Sequence, residues 1–258
     1  MSPDHVLRGA FFATLAFCTL SSPNSIGEAK ADTLIVQGST TFARRLMERL
    51  EDKIEAETGH ELTVIPNKSL PGLVGLIEGR AHMAMISAPL QEERDALQKI
   101  FPRFDFNRLR VHEVAKVRIA IVTHRTNDVQ KASLDQITKI LNGEIPNWSQ
   151  LGGADLPIRV VLVGGGGGVT SVVESELLGG KKGSAKNIIY TKSPVQLVQV
   201  VEQEPGAIGF AQFELAQRHN MREIRTERAI VQTLSFVTID APTPAMQSII
   251  DTAKKFVN

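Results

Sequence analysis

Segments typical of β-strands alternate with segments typical of helices along nearly all of the chain beyond residue 32. Residues 33–37 have strand character, and residues 42–57 are predicted to form a helix because apolar residues recur there four positions apart. Two predicted strands in close succession, 108–114 and 117–123, interrupt this order, and a last helix is predicted at 244–256. The pattern predicts an α/β fold with mostly parallel sheets.

Five consecutive glycines, Gly164 to Gly168, lie between an apolar strand-like run and a helix-like run that starts at Val169. Glycines at a helix start expose backbone N–H groups, and the helix dipole adds partial positive charge there, so the loop suits an oxyanion. Neither a Gly-Lys-Ser/Thr end nor a Gly-x-Gly-x-x-Gly spacing is present, which excludes the common nucleotide-binding loops. A plain surface loop is the alternative interpretation.

The N-terminus has the pattern of an export signal. Arg8 provides a positive charge, residues 9–20 are apolar, and Ala29 and Ala31 are small residues suited to signal peptidase. We therefore expect a signal peptide at 1–31 and a mature protein in the periplasm. Cys18 is the only cysteine, and the bulky Phe17 before it argues against a lipoprotein anchor. The mature protein then has neither a disulfide nor a thiolate metal site.

Composition and charge narrow the class of partner. The chain has 258 residues, of which 42% are hydrophobic and 22% charged, and its formal net charge is +1. Removing residues 1–31 leaves this balance unchanged, because that segment holds two basic and two acidic residues. Nothing in this charge predicts a nucleic-acid partner. We expect a monomer without cofactor.

Small and hydroxyl residues follow four of the predicted strands. The first loop is 38–41, the second is 67–72, the third is 87–89, and the glycine run is the fourth. A Ser or Thr at such a place is often only a helix cap, worth about 1 kcal/mol. Open α/β sheets also place ligands at the carboxyl ends of their strands. Together the loops predict a cleft lined by hydroxyls and backbone amides.

Several segments resemble the phosphate-binding-protein family of ABC transporters. The most distinctive is 141–153, which contains Asn147 and Trp148, and the segments 205–210, 87–90 and 38–42 occur in the expected order. The resemblance implies a two-lobed, type II-like periplasmic-binding-protein fold with two hinge crossings. One lobe would comprise 32–116 and 211–258, and the other 117–210. It also implies capture of a small, phosphate-like oxyanion for a membrane transporter permease.

The resemblance also assigns site residues, to which we add the hydroxyls of the first and third loops. The predicted ligand-binding residues are Ser39, Thr40, Thr41, Phe42, Ser69, Ser87, Gly167, Gly168, Val169 and Thr170. Two departures stand out. Ser87 occupies the position of the family's aspartate, and Leu162 and Val163 end the strand where the family has an arginine. The loss of a bidentate arginine contact weakens the expectation of tight phosphate binding.

Two other interpretations remain open at this point. A non-transport sensor, adhesion or scaffold protein would share the fold, and the pocket would also suit a weakly charged ligand. Lys68, His82, Arg44 and Arg45 lie near the predicted loops, but we expect such side chains at the solvated surface. An enzyme is not expected, because the histidines show no nucleophile or metal-binding pattern.

Overall fold

The computed structural model describes residues 33–164 and 168–257. The predicted signal peptide at 1–31, with Cys18, lies outside the described residues, and so does the predicted ligand residue Gly167. Among the helices of the described part, none is long and apolar enough to cross a membrane.

The described residues form the alternating elements that the sequence predicts. The strands are β1 (Thr33–Gly38), β2 (Glu61–Pro66), β3 (Met83–Ile86), β4 (Leu109–Thr123), β5 (Arg159–Val163), β6 (Ile188–Thr191), β7 (Ala207–Gln212), β8 (Arg222–Ile224) and β9 (Ile230–Ile239). The helices are α1 (Thr40–Phe42), α2 (Glu48–Thr58), α3 (Ser69–Ile77), α4 (Leu90–Ile100), α5 (Leu134–Asn142), α6 (Gly168–Leu178), α7 (Pro194–Gln203), α8 (Phe213–Arg218) and α9 (Pro244–Val257). A π-helical turn, Ala43–Met47, joins α1 to α2.

One sheet contains every strand, in the order β2-β1-β3-β9-β4-β7-β5-β6, with β8 paired to β4. Strands β1, β2 and β3 run parallel, and β5, β6 and β7 do the same. Between these two groups lie β4 and β9, which are antiparallel to each other along most of their length. The expectation of mostly parallel packing is therefore correct for the two groups and wrong for the centre.

The two parallel groups attach to opposite halves of the β4–β9 pair and run towards its middle. Strand β3 is antiparallel to β9 and ends at Ile86, opposite Ser235. Strand β7 is antiparallel to β4 and ends at Gln212, opposite Ile119. Because β4 and β9 themselves run in opposite directions, the carboxyl ends of the two groups face each other across the centre of the sheet.

The β4–β9 pair also connects two hydrophobic cores. Val117 and Phe236 pack in a core with the helical segment after β1 and with α9. Ile121 and Ile230 belong to a second core, built on α5, β5 and α6. The fold is thus the two-lobed α/β arrangement with two crossing strands that the resemblance implies. The limits of the lobes at 116/117 and 210/211 stay a prediction.

The two strands predicted at 108–114 and 117–123 are a single strand, β4, with an irregularity. The pairing register with β9 shifts between Glu113 and Ala115. Val114 and Ala115 are both buried, so the inward-facing pattern slips by one residue there. A β-bulge absorbs this kind of slip without ending the strand. The sequence also misses the short helix α8 and places the start of α3 three residues late.

The buried Trp148 ties together the two segments that carry the family resemblance. Its indole Nε1–H donates to the backbone carbonyl of Gly206, at 3.0 Å, and its side chain is only 1% exposed. A Cβ atom at Gly206 would lie 2.3 Å from the carbonyl oxygen of Pro157, so only glycine fits at that turn. Trp148 and Gly206 therefore hold the second core together, and neither residue is part of the cleft wall.

Replacing the indole by a phenyl ring in Trp148→Phe removes this hydrogen bond and part of the buried ring volume, while the Gly206 carbonyl keeps its second hydrogen bond, from the Arg159 backbone N–H at 3.0 Å. We expect the lost hydrogen bond and the cavity together to lower the free energy of unfolding by about 1–3 kcal/mol, measured by chemical denaturation. Tyr190→Phe is the control, because that side chain is 55% exposed and should change stability by less than about 0.5 kcal/mol. Equal effects of the two substitutions would contradict the assignment.

Candidate functional site

A cleft of about 210 Å³ lies where the carboxyl ends of the two parallel strand groups meet. Its walls are formed by Ser39, Thr40, Thr41, Lys68, Ser69, Ser87, Val163, Gly164, Gly168, Val169, Lys192, Pro194, Phe210 and Gln212. All four loops predicted from the sequence contribute to these walls. The volume equals that of roughly seven water molecules at about 30 Å³ each, so the cleft suits a small solute.

The first loop is shaped by Gly38, the last residue of β1. Its φ angle is +138°, and a Cβ atom there would lie 2.2 Å from the carbonyl oxygen of Met85. That close approach lets the backbone N–H of Ser39 donate to the same carbonyl at 2.8 Å. The loops after β1 and β3 are therefore held side by side at the edge of the cleft.

Ser39, and not Thr41, caps the helix that follows β1. The Ser39 hydroxyl accepts a hydrogen bond from the backbone N–H of Phe42 at 3.2 Å. The same hydroxyl lies 2.7 Å from the hydroxyl of Ser87, and both serines are 2% exposed. Thr40 and Thr41 are partly exposed on the cleft wall, so capping does not account for their hydroxyls.

Two predicted ligand residues, Phe42 and Thr170, use their side chains for contacts within the described structure. The ring of Phe42 is fully buried and packs against Phe236, with 4.6 Å between ring centroids. Thr170 closes the turn between β5 and α6, because its hydroxyl donates to the Val163 carbonyl at 3.0 Å and accepts from the Val163 N–H at 3.2 Å. Neither of the two lines the cleft, whereas Ser69, Gly168 and Val169 do.

Lys68 and Lys192 bring positive charge to the cleft from opposite sides. Lys68 follows β2 and precedes α3, where it adopts a φ of +77°, which is uncommon for a residue with a side chain. Lys192 follows β6 and precedes α7. Both side chains are exposed, as expected for Lys68, and both line the cleft.

Lys192 and Gln212 were not predicted as cleft residues, although a signal for both is present in the sequence. Both stand at the carboxyl end of a strand, the first just after β6 and the second as the last residue of β7. The rule that places ligands at strand ends applies to these strands as well as to β1, β2, β3 and β5. Phe210 and Pro194 were missed too, and they add an apolar part to the wall.

A chain of amide hydrogen bonds runs from the cleft wall to the third loop. Gln212 donates through Nε2 to Oε1 of Gln232 at 3.1 Å. Gln232, which is fully buried, donates in turn to the backbone carbonyl of Ser87 at 2.8 Å. These bonds fix the loop after β3 relative to β7 and β9.

The other cations considered from the sequence are occupied or lie elsewhere. Arg45 forms an ion pair with Glu214. Burial is the largest single effect on the pKa of the Glu214 carboxyl and acts to raise it, but the hydrogen bond from Arg45, a backbone hydrogen bond and the charges of Arg45 and Arg218 together lower the pKa. His82 accepts the backbone N–H of Ile35 through Nδ1 at 2.9 Å, away from the cleft. Arg44 is exposed and is not part of the cleft wall.

A larger cavity of about 570 Å³ lies at the opposite, amino ends of β1, β2 and β3, beside Thr33, His60 and His82. The start of α9 at Pro244 also lines it, but no strand carboxyl end and no lysine or arginine is among its described lining residues. In residues 33–164 and 168–257, no group of three or more His, Cys, Asp or Glu side chains is placed to hold a metal ion.

A family model described as the PBP superfamily domain matches residues 23–258. The phosphate-binding protein PstS of Bacillus subtilis (strain 168) is 27% identical over 216 residues, which cover 81% of this chain and 69% of that protein. An ABC-type phosphate transport receptor from Vibrio cholerae superposes with a TM-score of 0.70 at 22% identity, covering 86% of this chain and 93% of that one. PstS from Borrelia burgdorferi gives a TM-score of 0.62 at 20% identity, covering 86% and 92%.

The extent of the family match settles the class. The chain belongs to the PBP superfamily. The structural likeness agrees with this assignment, because the two-lobed fold is shared over most of each chain.

The positions of the first-loop hydroxyls generate a test. Thr41→Val removes a hydroxyl from the cleft wall and keeps the side-chain shape, so we expect anion binding to weaken about five- to tenfold, a loss on the order of 1 kcal/mol. Stability should stay unchanged, because Ser39 and not Thr41 caps the helix. Calorimetric titration with inorganic phosphate and thermal unfolding measure the two effects.

Ser39→Ala provides the comparison for that test. Loss of the cap should lower the free energy of unfolding by about 1 kcal/mol. If Thr41→Val instead destabilised the fold and bound phosphate as tightly as the wild type, the assignment of cap and ligand group would be reversed.

Proposed function

We propose that the protein is an extracytoplasmic solute-binding protein that captures a small oxyanion in the cleft and delivers it to an ABC transporter. The observation that carries this proposal is the charge of the cleft. Lys68 and Lys192 line it from opposite strand groups, and none of the described wall residues is a carboxylate. The relatives reported above are a phosphate-binding protein and transport receptors rather than enzymes, which supports a binding role.

Helix starts add to the positive potential. Three helices begin at residues of the cleft wall: α3 at Ser69, α6 at Gly168 and α7 at Pro194. Backbone N–H groups in the first turn of a helix lack partners within the helix, and the dipole places about half a positive charge there. A small anion in the cleft would meet three such ends together with the two lysines.

The two lysines also supply positive charge where the family's arginine is absent. Val163 ends β5 and lines the cleft, so the carboxyl end of this strand provides no cation. Two ammonium groups supply charge without the fixed bidentate geometry of a guanidinium. This favours an anion over the neutral or weakly charged ligand that the sequence left open. It also implies looser geometric selection than an arginine would give.

The crossing strands provide a route to closure. The lobe limits predicted from the sequence, 32–116 with 211–258 against 117–210, put Lys68 in one lobe and Lys192 in the other. An anion between them would make contacts to both lobes only when they approach, and binding would shift the population from open to closed. A closed, liganded form is what we propose the transporter permease recognises.

The remaining elements of the proposal follow from the sequence. The signal peptide at 1–31 would direct the protein to the periplasm, where it would act as a monomer. Within the described residues, no feature favours the alternative sensor, adhesion or scaffold role over solute capture.

Neutralising the lysines tests the proposed charge directly. We expect Lys68→Gln and Lys192→Gln each to weaken phosphate binding about three- to tenfold, since an exposed charge contact contributes on the order of 1 kcal/mol. The double variant should lose about the product of the two effects. Isothermal titration calorimetry of protein freed of ligand by unfolding and refolding, at low salt, gives the dissociation constants.

Lys186→Gln is the matched control, because this lysine is exposed and lies outside the cleft wall. It changes the net charge by the same amount and should leave the affinity unchanged. If all three substitutions weakened phosphate binding equally, net charge alone would explain the effect. If phosphate affinity stayed the same in the two cleft-lysine variants, the proposed site would be refuted.

A further inference from the structure

The side chains of the cleft wall differ in what they can offer to an oxygen atom of a ligand. The polar and charged members are Ser39, Thr40, Thr41, Lys68, Ser69, Ser87, Lys192 and Gln212. Every one of them carries at least one N–H or O–H group. Among the described residues of the wall, no side chain can only accept a hydrogen bond.

One hydroxyl proton of the buried Ser39–Ser87 pair remains available to form a hydrogen bond to a ligand. Ser39 and Ser87 have two hydroxyl protons between them, and the 2.7 Å contact uses one. The Phe42 N–H occupies a lone pair of Ser39 and consumes no hydroxyl proton. Whichever serine donates within the pair, one proton remains. The backbone carbonyl of Ser87 is itself already engaged by Gln232.

Phosphate and sulfate differ in whether they carry a proton near neutral pH, and a wall without a carboxylate does not distinguish them by that proton. Both are small tetrahedral oxyanions, but phosphate still carries a proton near neutral pH and sulfate carries none. A carboxylate in the wall would accept that proton and would repel a ligand without one. Hydroxyl, amide and ammonium groups donate to bare oxygen atoms, and the hydroxyl and amide oxygens can also accept a ligand proton.

We propose that the cleft binds tetrahedral oxyanions whether or not they are protonated, so that sulfate and phosphate bind with comparable affinity. This inference rests on the proposed function, because it names the ligand class of the same cleft. The two lysines set the preference for negative charge, and the cleft of about 210 Å³ has room for a small tetrahedral anion. Ser87, at the centre of the buried hydroxyl pair, is the residue that makes the wall indifferent to the ligand proton.

The first test is a pair of titrations on the wild-type protein, freed of ligand and dialysed into Tris chloride at pH 7. We expect dissociation constants for sulfate and inorganic phosphate within tenfold of each other. A phosphate preference greater than tenfold would overturn the inference and leave the proposed function standing. Absence of binding by both anions would overturn the proposed function as well.

The second test introduces the missing acceptor. Ser87→Asp should weaken sulfate binding by at least tenfold more than phosphate binding, because only phosphate can supply a proton to the new carboxylate. Ser87→Asn has nearly the same shape without the charge and should keep the wild-type ratio. The ratio of two dissociation constants on one variant cancels any general loss of binding. An unchanged ratio in a folded Ser87→Asp protein, checked by circular dichroism, would count against the role of Ser87.

Discussion

The pairing of β4 with β9 is the constraint on which the cleft depends. These two strands run antiparallel through the centre of the sheet and contribute to both hydrophobic cores. Since β3 attaches to one end of the pair and β7 to the other, both with opposite direction to their partner, the strand ends converge at the middle. Without this central antiparallel pair, a fully parallel sheet would place all its carboxyl ends along one edge, and two facing sets of loops would not form.

The chemistry of the cleft follows from that convergence. Helix starts and lysines from both strand groups point their positive ends at one small space, while the buried Ser39–Ser87 pair occupies its floor at 2% exposure for each residue. A neutral hydroxyl pair is less costly to bury than an unpaired charge. A carboxylate at Ser87 without a guanidinium at Val163 would be such a charge, so the two departures from the family pattern are physically consistent with each other.

Much of the fold was predictable from periodicity, because long apolar patterns such as that of residues 42–57 leave few alternatives. The four strand-end loops were also found, since they depend on strand direction and small residues. The bulge near Val114 was missed because it appears in sequence as an interruption of the strand. The roles of Phe42 and Thr170 could not be read from position alone, as a buried ring contact and a turn-closing hydroxyl are set by tertiary packing. Lys192 was not predicted, because a strand-end position alone does not distinguish a lysine that lines a cleft from one at the solvated surface.

The most direct measurement is a crystal structure of the protein with arsenate, recorded at the arsenic absorption edge. Arsenate is a tetrahedral oxyanion with protonation chemistry like that of phosphate, and its anomalous signal locates it without ambiguity. The account predicts one strong peak in the cleft, within hydrogen-bond distance of groups from both strand groups and close to the ammonium groups of Lys68 and Lys192. An empty cleft at saturating arsenate, or a peak held by only one strand group, would contradict it.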